Sequence, residues 1–300
     1  MTNYTNNYIK ELINNKQQLR IYSDNISQAI CPKIIGNEYC KRLLALQLLC
    51  DPRRDEKFHA MMIGSPASGK TDLLNELINI KDNSILYCNQ STKVGIRETI
   101  ESCDGGLMAV DEFDKLNNDV FKGLLELMQL GRMTINIHNN HYTITSRTNL
   151  LVACNPKYKV WIKSMTILNQ LPFPKDLLTR FHIIMPFYKV DTKYYPDIAR
   201  GMCNQEYNNT ERIKELNNYV SLLIDKYPII KVPEEIADLI GEYVKKLEES
   251  SIFKEIISPR TISGIISIVK ARARMNGNTI ASEEDFEDVK ELYDYFYMNK

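Results

Sequence analysis

The sequence predicts an α/β fold in which a parallel five-stranded sheet, flanked by helices, precedes a small all-helical region. Five short runs are almost entirely apolar, and helical patterns separate them. Strands that are apolar on both faces are typical of parallel sheets covered by helices on each side. Beyond residue 190 only helical patterns continue. The five predicted strands cover residues 60–63, 85–88, 107–110, 150–154 and 182–185.

The first predicted strand runs into a loop with two glycines, and a helical pattern follows that loop. The loop has the spacing of a phosphate-binding loop. In such a loop, backbone N–H groups approach phosphate oxygens closely, and the next helix directs its positive end at the same charge. We expect Lys70 to reach the β- and γ-phosphates and the Thr71 hydroxyl to bind Mg²⁺. The candidate nucleotide-binding residues are Gly64, Ser65, Pro66, Ala67, Ser68, Gly69, Lys70 and Thr71.

Between the strands, the residue patterns predict helices and one hairpin. An apolar stripe after Asn37 predicts a helix that leads to the first strand. Asn117 or Asn118 is suited to cap the helix that follows the third strand. Residues 133–145 alternate around an Asn-Asn pair, which is a hairpin signature.

The remainder of the chain is predicted to form a helical lid. We therefore divide the sequence into an N-terminal helical extension (1–30), a nucleotide-binding α/β core (31–190) and a helical lid domain (191–300). The predicted lid helices lie near 192–203, 209–226, 233–249 and 260–275, and a last one is capped by Ser282 and Asp285.

Polar side chains follow two of the predicted strands. Asp111 and Glu112 end the third strand, so they are expected at the sheet edge that also carries the phosphate loop. Asp111 would hold Mg²⁺ through water, and Glu112 would orient or deprotonate the attacking water. Asn155 ends the fourth strand and is suited to contact the γ-phosphate or the same water. The alternatives are a solvated strand end for the two acids and a turn-forming Asn before Pro156.

Other polar residues allow two interpretations each. On periodicity alone, Arg180 and Arg260 are better explained as surface charges. His138 and His141 are spaced as a metal pair is, but no third ligand is near, and solvated loop histidines are the better explanation. Tyr142 is suited to stack on a base or to pack across the hairpin.

Composition excludes several classes of protein. The 38 basic and 38 acidic residues cancel, so a contact with nucleic acid requires a local patch rather than a global field. Seven cysteines without a C-x-x-C pair argue against a disulfide framework or a zinc site and fit a reducing compartment. The polar N-terminus is unlike a signal peptide, and no apolar run approaches the roughly 18 residues of a membrane span. A cytoplasmic protein without membrane contact is expected.

Taken together, the motifs resemble the AAA+ motor domain of minichromosome maintenance (MCM) helicases. The resemblance covers roughly residues 25–298 in the order of the family, and D-E-F-D-K is its most specific piece. The matching segments are C-P-K-I-I-G-N-E (31–38), D-G-G-L-M-A-V-D-E-F-D-K (104–115), R-T-N-L-L-V-A-C-N-P (147–156), L-L-T-R-F (177–181) and S-P-R-T-I-S-G-I-I-S-I-V-K-A-R-A-R-M (258–275).

The resemblance implies one group of residues that serves the nucleotide of its own subunit. The implied cofactors are ATP and Mg²⁺, with Thr71 and Asp111 at the metal. Within segment 31–38, Ile35 and Gly36 are the candidate nucleotide contacts. The residues implied to act on the subunit's own nucleotide are Lys70, Thr71, Asp111, Glu112 and Asn155.

The resemblance also implies partners. Arg180 is implied to be an arginine finger and Arg260 a second sensor, both reaching the nucleotide of a neighbouring subunit. The expected assembly is a homo-oligomeric ring, a hexamer, which works on DNA and with replication proteins. The residues of the hairpin tip that would contact DNA in the pore are His138, Asn139, Asn140, His141 and Tyr142.

The sequence departs from the family pattern in four places. Gly69 and Thr71 stand where the family usually has Ala and Ser, which leaves the phosphate chemistry intact. The N-terminal DNA-binding region with its zinc site is expected to be missing, and the chain between Gly95 and Asp104 is too short for the helix-2 insertion. The hairpin lacks the lysine that MCM proteins present to DNA. These departures are compatible with an ATPase and argue against processive unwinding.

A second family competes with the first. MoxR-type AAA+ ATPases, which remodel protein partners, share the hairpin and a helix similar to residues 124–128. Neutral charge and the lysine-free hairpin favour this alternative, whereas D-E-F-D-K and the lid helix favour the MCM type.

Two further predictions concern packing. Lys270, Arg272 and Arg274 are spaced by two along a predicted helix, which favours a solvated face. Trp161 is expected to pack between the sheet and its neighbouring loop.

Overall fold

The computed structural model describes residues 2–87, 93–137, 140–203 and 210–298. Five strands form one parallel sheet in the order β2-β3-β6-β1-β7, and two form a separate antiparallel hairpin. This confirms the predicted α/β architecture and the predicted hairpin. The strands are β1 (Ala60–Gly64), β2 (Ile85–Tyr87), β3 (Leu107–Val110), β4 (Arg132–Ile137), β5 (Asn140–Thr145), β6 (Asn149–Cys154) and β7 (Ile183–Phe187).

Helices cover the sheet and form the lid, close to the predicted positions. Asn117 caps the helix after β3, with its side chain accepting from Val120 N–H. The helices of four or more residues are α1 (Thr2–Asn14), α2 (Lys16–Asp24), α3 (Ile26–Ala29), α4 (Glu38–Leu49), α5 (Lys70–Ile80), α6 (Lys93–Ser102), α7 (Asn118–Leu130), α8 (Lys175–Leu178), α9 (Tyr195–Cys203), α10 (Thr210–Lys226), α11 (Glu234–Ser250), α12 (Pro259–Met275) and α13 (Glu283–Tyr297).

The sheet places β1 between β6 and β7. Ile63 pairs with Cys154 on one side, and Gly64 pairs with Phe187 on the other. A Cβ atom at position 64 would lie 2.5 Å from the Cβ and carbonyl oxygen of Phe187, so only glycine allows β7 to approach there. The chain segments that follow β6, β1 and β7 therefore leave the same edge of the sheet side by side.

The lid is joined to the core through α12, which packs against α4 and α13. The prediction of a solvated basic face on this helix is wrong, because Arg272 and Arg274 are buried and Lys270 is half-buried. Arg274 is fully buried and forms a bidentate ion pair with Glu56, at 2.8 and 2.9 Å. Burial of a guanidinium requires such a partner, and Glu56 comes from the segment just before β1.

The N-terminal helices also pack on the lid. Arg272 pairs with Asp24 of α2 at 2.8 Å and with Asp288 of α13 at 2.7 Å. The Lys226 ammonium at the end of α10 donates to the carbonyl oxygen of Ile13 at 3.2 Å. Within the described ranges, no helix combines the length and apolar character that crossing a membrane requires.

Candidate functional site

The phosphate-binding loop lies between β1 and α5. Ala67 and Gly69 adopt left-handed backbone conformations, with φ of 59° and 90°. The φ of Gly69 favours glycine at this position, where a Cβ atom would lie 2.9 Å from Cδ1 of Ile34 and would require that side chain to shift. The loop thus wraps around the N-terminus of α5, the arrangement that binds phosphate.

Lys70 begins α5 and folds back over the loop. Its ammonium donates to the carbonyl oxygens of Gly64 at 2.7 Å and Ser65 at 2.9 Å, and to Ser68 Oγ at 3.2 Å. Burial lowers the pKa of this lysine. Lys70 is therefore held where a phosphate bound by the loop would meet it.

Thr71 and Asp111, the two predicted metal ligands, are in contact. The Thr71 hydroxyl donates to Asp111 Oδ2 at 2.6 Å. A hydroxyl and a carboxylate are oxygen ligands of the kind that Mg²⁺ prefers, so this pair fits the ion. The two residues line a cleft of about 300 Å³, whose lining is Pro66, Ala67, Ser68, Gly69, Lys70, Thr71, Asp72, Asp111, Glu112 and Asn155.

Glu112 and Asn155 lie in this phosphate-loop cleft with the loop residues. Glu112 has a left-handed backbone conformation, with φ of 50°, and its carboxylate forms an ion pair with Lys115. Asn155 directly follows β6, the neighbour of β1. The structure therefore brings together the side chains that the sequence predicted at the carboxyl edge of the sheet.

Three other residues of this region differ from the predictions. Ile35 and Gly36 are not among the residues that line the cleft, and it is Ile34 that approaches Gly69. Asp72 lines the cleft without having been predicted, and Lys33 pairs with its carboxylate at 2.7 Å. Asp72 directly follows Lys70 and Thr71 in the sequence, and this position could have identified it as a residue of the cleft.

Arg180 and Arg260 lie together in a second cavity of about 210 Å³, which we call the arginine cavity. Neither arginine lines the phosphate-loop cleft. Arg180 donates to the side-chain oxygen of Gln129 at 2.7 Å, and Arg260 donates to the carbonyl oxygen of Thr179 at 3.4 Å. The remaining lining residues are Asp55, Lys57, His59, Met128, Gln129, His182, Ser263 and Ser267.

A buried histidine pair lies beside these arginines, and sequence reasoning missed it. The backbone N–H of His59 donates to the ring Nδ1 of His182 at 2.7 Å. The ring Nδ1 of His59 accepts from the backbone N–H of Leu150 at 3.1 Å. His59 Nε2 is 3.3 Å from the carbonyl oxygen of Met128, so in this tautomer it donates. Burial lowers the pKa of His59 to about 4 and that of His182 well below its usual value. Both rings are therefore neutral near pH 7.

The residues predicted for the hairpin tip lie only partly within the described part of the chain. His138 and Asn139 lie outside them. In the β4–β5 ladder, Asn140 pairs with Ile137, His141 with Asn136, and Tyr142 with Ile135. Among the described residues, no cluster of three or more His, Cys, Asp or Glu residues is arranged to hold a metal. Trp161 donates to the carbonyl oxygen of Phe187 at 2.8 Å, in agreement with the predicted packing between sheet and loop.

The chain was compared with known proteins. The family model of the MCM P-loop domain matches residues 7–102 and 98–204. An uncharacterized MCM-type protein of Methanocaldococcus jannaschii is 27% identical, over 95% of this chain and 43% of that protein. The minichromosome maintenance protein MCM of Saccharolobus solfataricus is 24% identical, over 88% of this chain and 43% of that protein. DNA replication licensing factor mcm4-B of Xenopus laevis is 23% identical, over 90% of this chain and 36% of that protein.

The region that matches the family includes the residues that form the phosphate-loop cleft. The matches span between 36% and 43% of each of these relatives, so the chain corresponds to about two fifths of their length. The matched region contains the phosphate loop, both acidic residues after β3, Asn155 and Arg180. Of the two families that the sequence suggested, the comparisons support the first, and the chain belongs to the MCM family of P-loop proteins.

Proposed function

We propose that this chain binds ATP with Mg²⁺, hydrolyses ATP as part of a homo-oligomeric ring, expected to be hexameric, and uses that activity on DNA. The observation that carries the proposal is the separation of the functional residues into two sets. Lys70, Thr71 and Glu112 line one cleft, whereas Arg180 and Arg260 line another cavity. Neither set is a complete site for phosphoryl transfer, and two adjacent subunits would complete each other.

Within one subunit, the cleft supplies binding and water activation. The loop N–H groups and Lys70 would hold the β- and γ-phosphates. Thr71 and Asp111 would hold Mg²⁺, which would neutralise the negative charge that develops on the phosphates. Glu112 would take the proton of the attacking water, and the Asn155 amide would orient that water.

The arginine cavity would bring positive charge, in addition to that of Lys70, to the cleft of a neighbouring subunit. Arg180 would reach the γ-phosphate of the neighbouring subunit as an arginine finger, and Arg260 would reach it as a second sensor. A finger contributes roughly 10³–10⁵ to the rate of such reactions. Hydrolysis would therefore depend on assembly of the ring.

The proposed substrate of the motor is DNA. The names of the relatives include DNA replication licensing factor and DNA helicase. Because the net charge of this chain is zero, we expect weak and salt-sensitive binding through local contacts, among them the hairpin tip at residues 138–142. Replication proteins are the proposed partners.

The test is the rate of ATP hydrolysis with and without single-stranded DNA, at stated salt concentration. Wild-type protein should hydrolyse ATP faster with DNA, and Glu112→Gln should bind ATP without turnover. Replacement of residues 138–142 by a Gly-Ser turn should reduce the stimulation by DNA. If DNA does not change the rate of hydrolysis, a protein-remodelling ATPase is favoured instead. If the assembled wild-type protein does not hydrolyse ATP, the proposal is refuted.

A further inference from the structure

Two surface loops concentrate lysines in a chain that has no net charge. The loops cover residues 157–163 and 188–195, and both are exposed over most of their length. Their 15 residues include five lysines and only one acidic residue, Asp191. The lysines are Lys157, Lys159, Lys163, Lys189 and Lys193.

The same loops concentrate aromatic side chains. Four of them are tyrosines that are between 36% and 50% exposed, so part of each ring is accessible to a ligand. Lys157 Nζ lies 5.8 Å from the ring centroid of Tyr158, and Lys193 Nζ lies 4.9 Å from that of Tyr194. We call the two loops the lysine–tyrosine surface, and its aromatic residues are Tyr158, Trp161, Tyr188, Tyr194 and Tyr195.

The topology of the sheet makes these loops neighbours. One loop follows β6 and the other follows β7, and both strands flank β1. Trp161 joins them, because its ring lies 5.9 Å from that of Tyr188 and its Nε1–H donates to the carbonyl oxygen of Phe187. The ten side chains therefore belong to one continuous region beside the phosphate loop.

The first loop is held in a fixed shape. Gln170 is buried beneath it, and its side chain accepts from Ile162 N–H at 2.6 Å and donates to the carbonyl oxygens of Ile162 and Met165, at 3.1 and 3.0 Å. Lys159 is held in a left-handed conformation, with φ of 66°, by a turn to Pro156. A preformed loop loses less conformational entropy on binding a ligand than a disordered loop does.

The charge of the surface is not cancelled locally. Its one carboxylate, Asp191, pairs with Lys193 at 3.6 Å. In the described part of the chain, no carboxylate lies within ion-pair distance of the other four lysines of the surface. Four cations without a local counter-charge beside exposed aromatic rings are suited to a ligand that is both anionic and planar.

We propose that the lysine–tyrosine surface binds single-stranded nucleic acid, with lysines on phosphates and tyrosine rings stacked on unpaired bases. Such stacking tolerates any base sequence and requires base faces that a duplex does not expose. A second copy of this chain would instead need a complementary acidic and apolar face. The binding itself does not depend on hydrolysis.

A link to hydrolysis follows from position, and this link rests on the proposed function. Lys157 and Lys159 line a cleft of about 690 Å³ that also contains Glu112, Asn155 and Pro66. These last three residues line the phosphate-loop cleft as well. A strand bound on the surface would therefore lie next to the residues proposed to activate water.

The experiment measures binding of a fluorescent oligothymidylate to the full chain at low salt, without nucleotide. Tyr158→Ala should weaken binding roughly 5- to 150-fold, and Tyr158→Phe should not, because the ring is retained. In Lys163→Ala/Lys189→Ala, each lost phosphate contact should reduce the slope of log K against log salt by about 0.7. Exposed residues elsewhere, changed in Tyr8→Ala and Lys245→Ala, are the matched controls, and circular dichroism verifies folding.

Several results would overturn the inference. Unchanged affinity in the folded Tyr158→Ala and double-lysine proteins would do so, as would a loss of affinity only in the hairpin variant. If the variants no longer self-associate but still bind the oligonucleotide, the surface is an interface between copies of the chain. If wild-type protein does not bind the oligonucleotide at all, the inference fails, whereas ATP hydrolysis in the same preparation still decides the proposed function separately.

Discussion

The charged side chains of the phosphate-loop cleft and of the arginine cavity differ in the partners that they contact. In the cleft, Lys70 is held by three oxygen acceptors, and Glu112 is paired with Lys115. In the cavity, Arg180 and Arg260 donate only to neutral oxygens among the described residues, and neither forms an ion pair there. The first region is satisfied within the chain, whereas the second offers positive charge to a group from outside. This difference supports the proposal that the active site is shared between subunits.

The largest expected effect tests whether the cavity acts on a neighbour. Arg180→Ala should bind ATP normally and hydrolyse it roughly 10³–10⁵ times more slowly, because a charge beside the transition state is lost. Glu112→Gln should be inactive for a different reason, since it retains a good finger. Mixing the two inactive proteins should restore partial activity. If subunits exchange and no activity returns, Arg180 acts within its own subunit or only structurally.

The second effect concerns the ion pair that fixes α12, the helix that carries Arg260. Glu56→Gln should reduce the free energy of unfolding by about 3–5 kcal/mol, because it leaves the buried Arg274 guanidinium without its counter-charge. The matched control is Glu284→Gln, whose partner Arg20 is exposed, and which should cost at most about 1 kcal/mol. Urea unfolding measures both. Equal effects of the two substitutions would show that burial of the Arg274 pair has no consequence.

The third effect addresses the cleft. Lys70→Ala should weaken ATP binding roughly 100- to 1,000-fold, because two or more charge-assisted hydrogen bonds to phosphate are lost. Lys81→Ala is the matched control, since Lys81 is equally buried but donates to the carbonyl oxygens of Leu48 and Cys50 away from the cleft. Nucleotide titration followed by fluorescence compares them. A comparable loss of affinity in both proteins would indicate a general defect of folding rather than a phosphate contact.

The smallest expected effect is the pH dependence of the free energy of unfolding that is caused by His59, a lining residue of the arginine cavity. His59 has a pKa of about 4 when folded, lowered by burial, against about 6.5 when unfolded. Below pH 6.5 the unfolded chain therefore binds a proton that the folded chain does not, and stability falls until about pH 4. Between pH 7 and pH 5 this histidine should account for a loss of about 2 kcal/mol.

The control for this pH dependence is His59→Gln, which removes the titrating group but retains hydrogen-bonding atoms. The variant should be less stable at pH 7 and lose less stability on acidification than wild-type protein. Urea midpoints at the two pH values provide the comparison. Identical pH slopes in both proteins would assign the acid sensitivity to other groups.

The sequence predicted best what depends on neighbouring residues. The phosphate loop, the capped helix at Asn117 and the β4–β5 hairpin each have a local signal in residue type and spacing. The carboxyl edge of the sheet could also be predicted, because continuous apolar runs separated by helices indicate parallel strands.

What the sequence could not predict depends on residues far apart in the chain. Arg274 looked solvated because its partner Glu56 lies 218 residues away. His59 and His182 are unremarkable singly and become a pair only because β1 and β7 are adjacent. The lysine–tyrosine surface likewise requires the adjacency of two loops that the sheet order provides.

The buried Arg274–Glu56 pair has a mechanical consequence. Swinging the lid away from the core would separate two charges that water does not reach, which is costly. Lid and core should therefore behave as one stiff body under load, instead of opening as a hinge within the subunit. In the proposed ring, strain from ATP hydrolysis would then appear as sliding or rotation between subunits, where Arg180 and Arg260 are proposed to reach the neighbour's nucleotide.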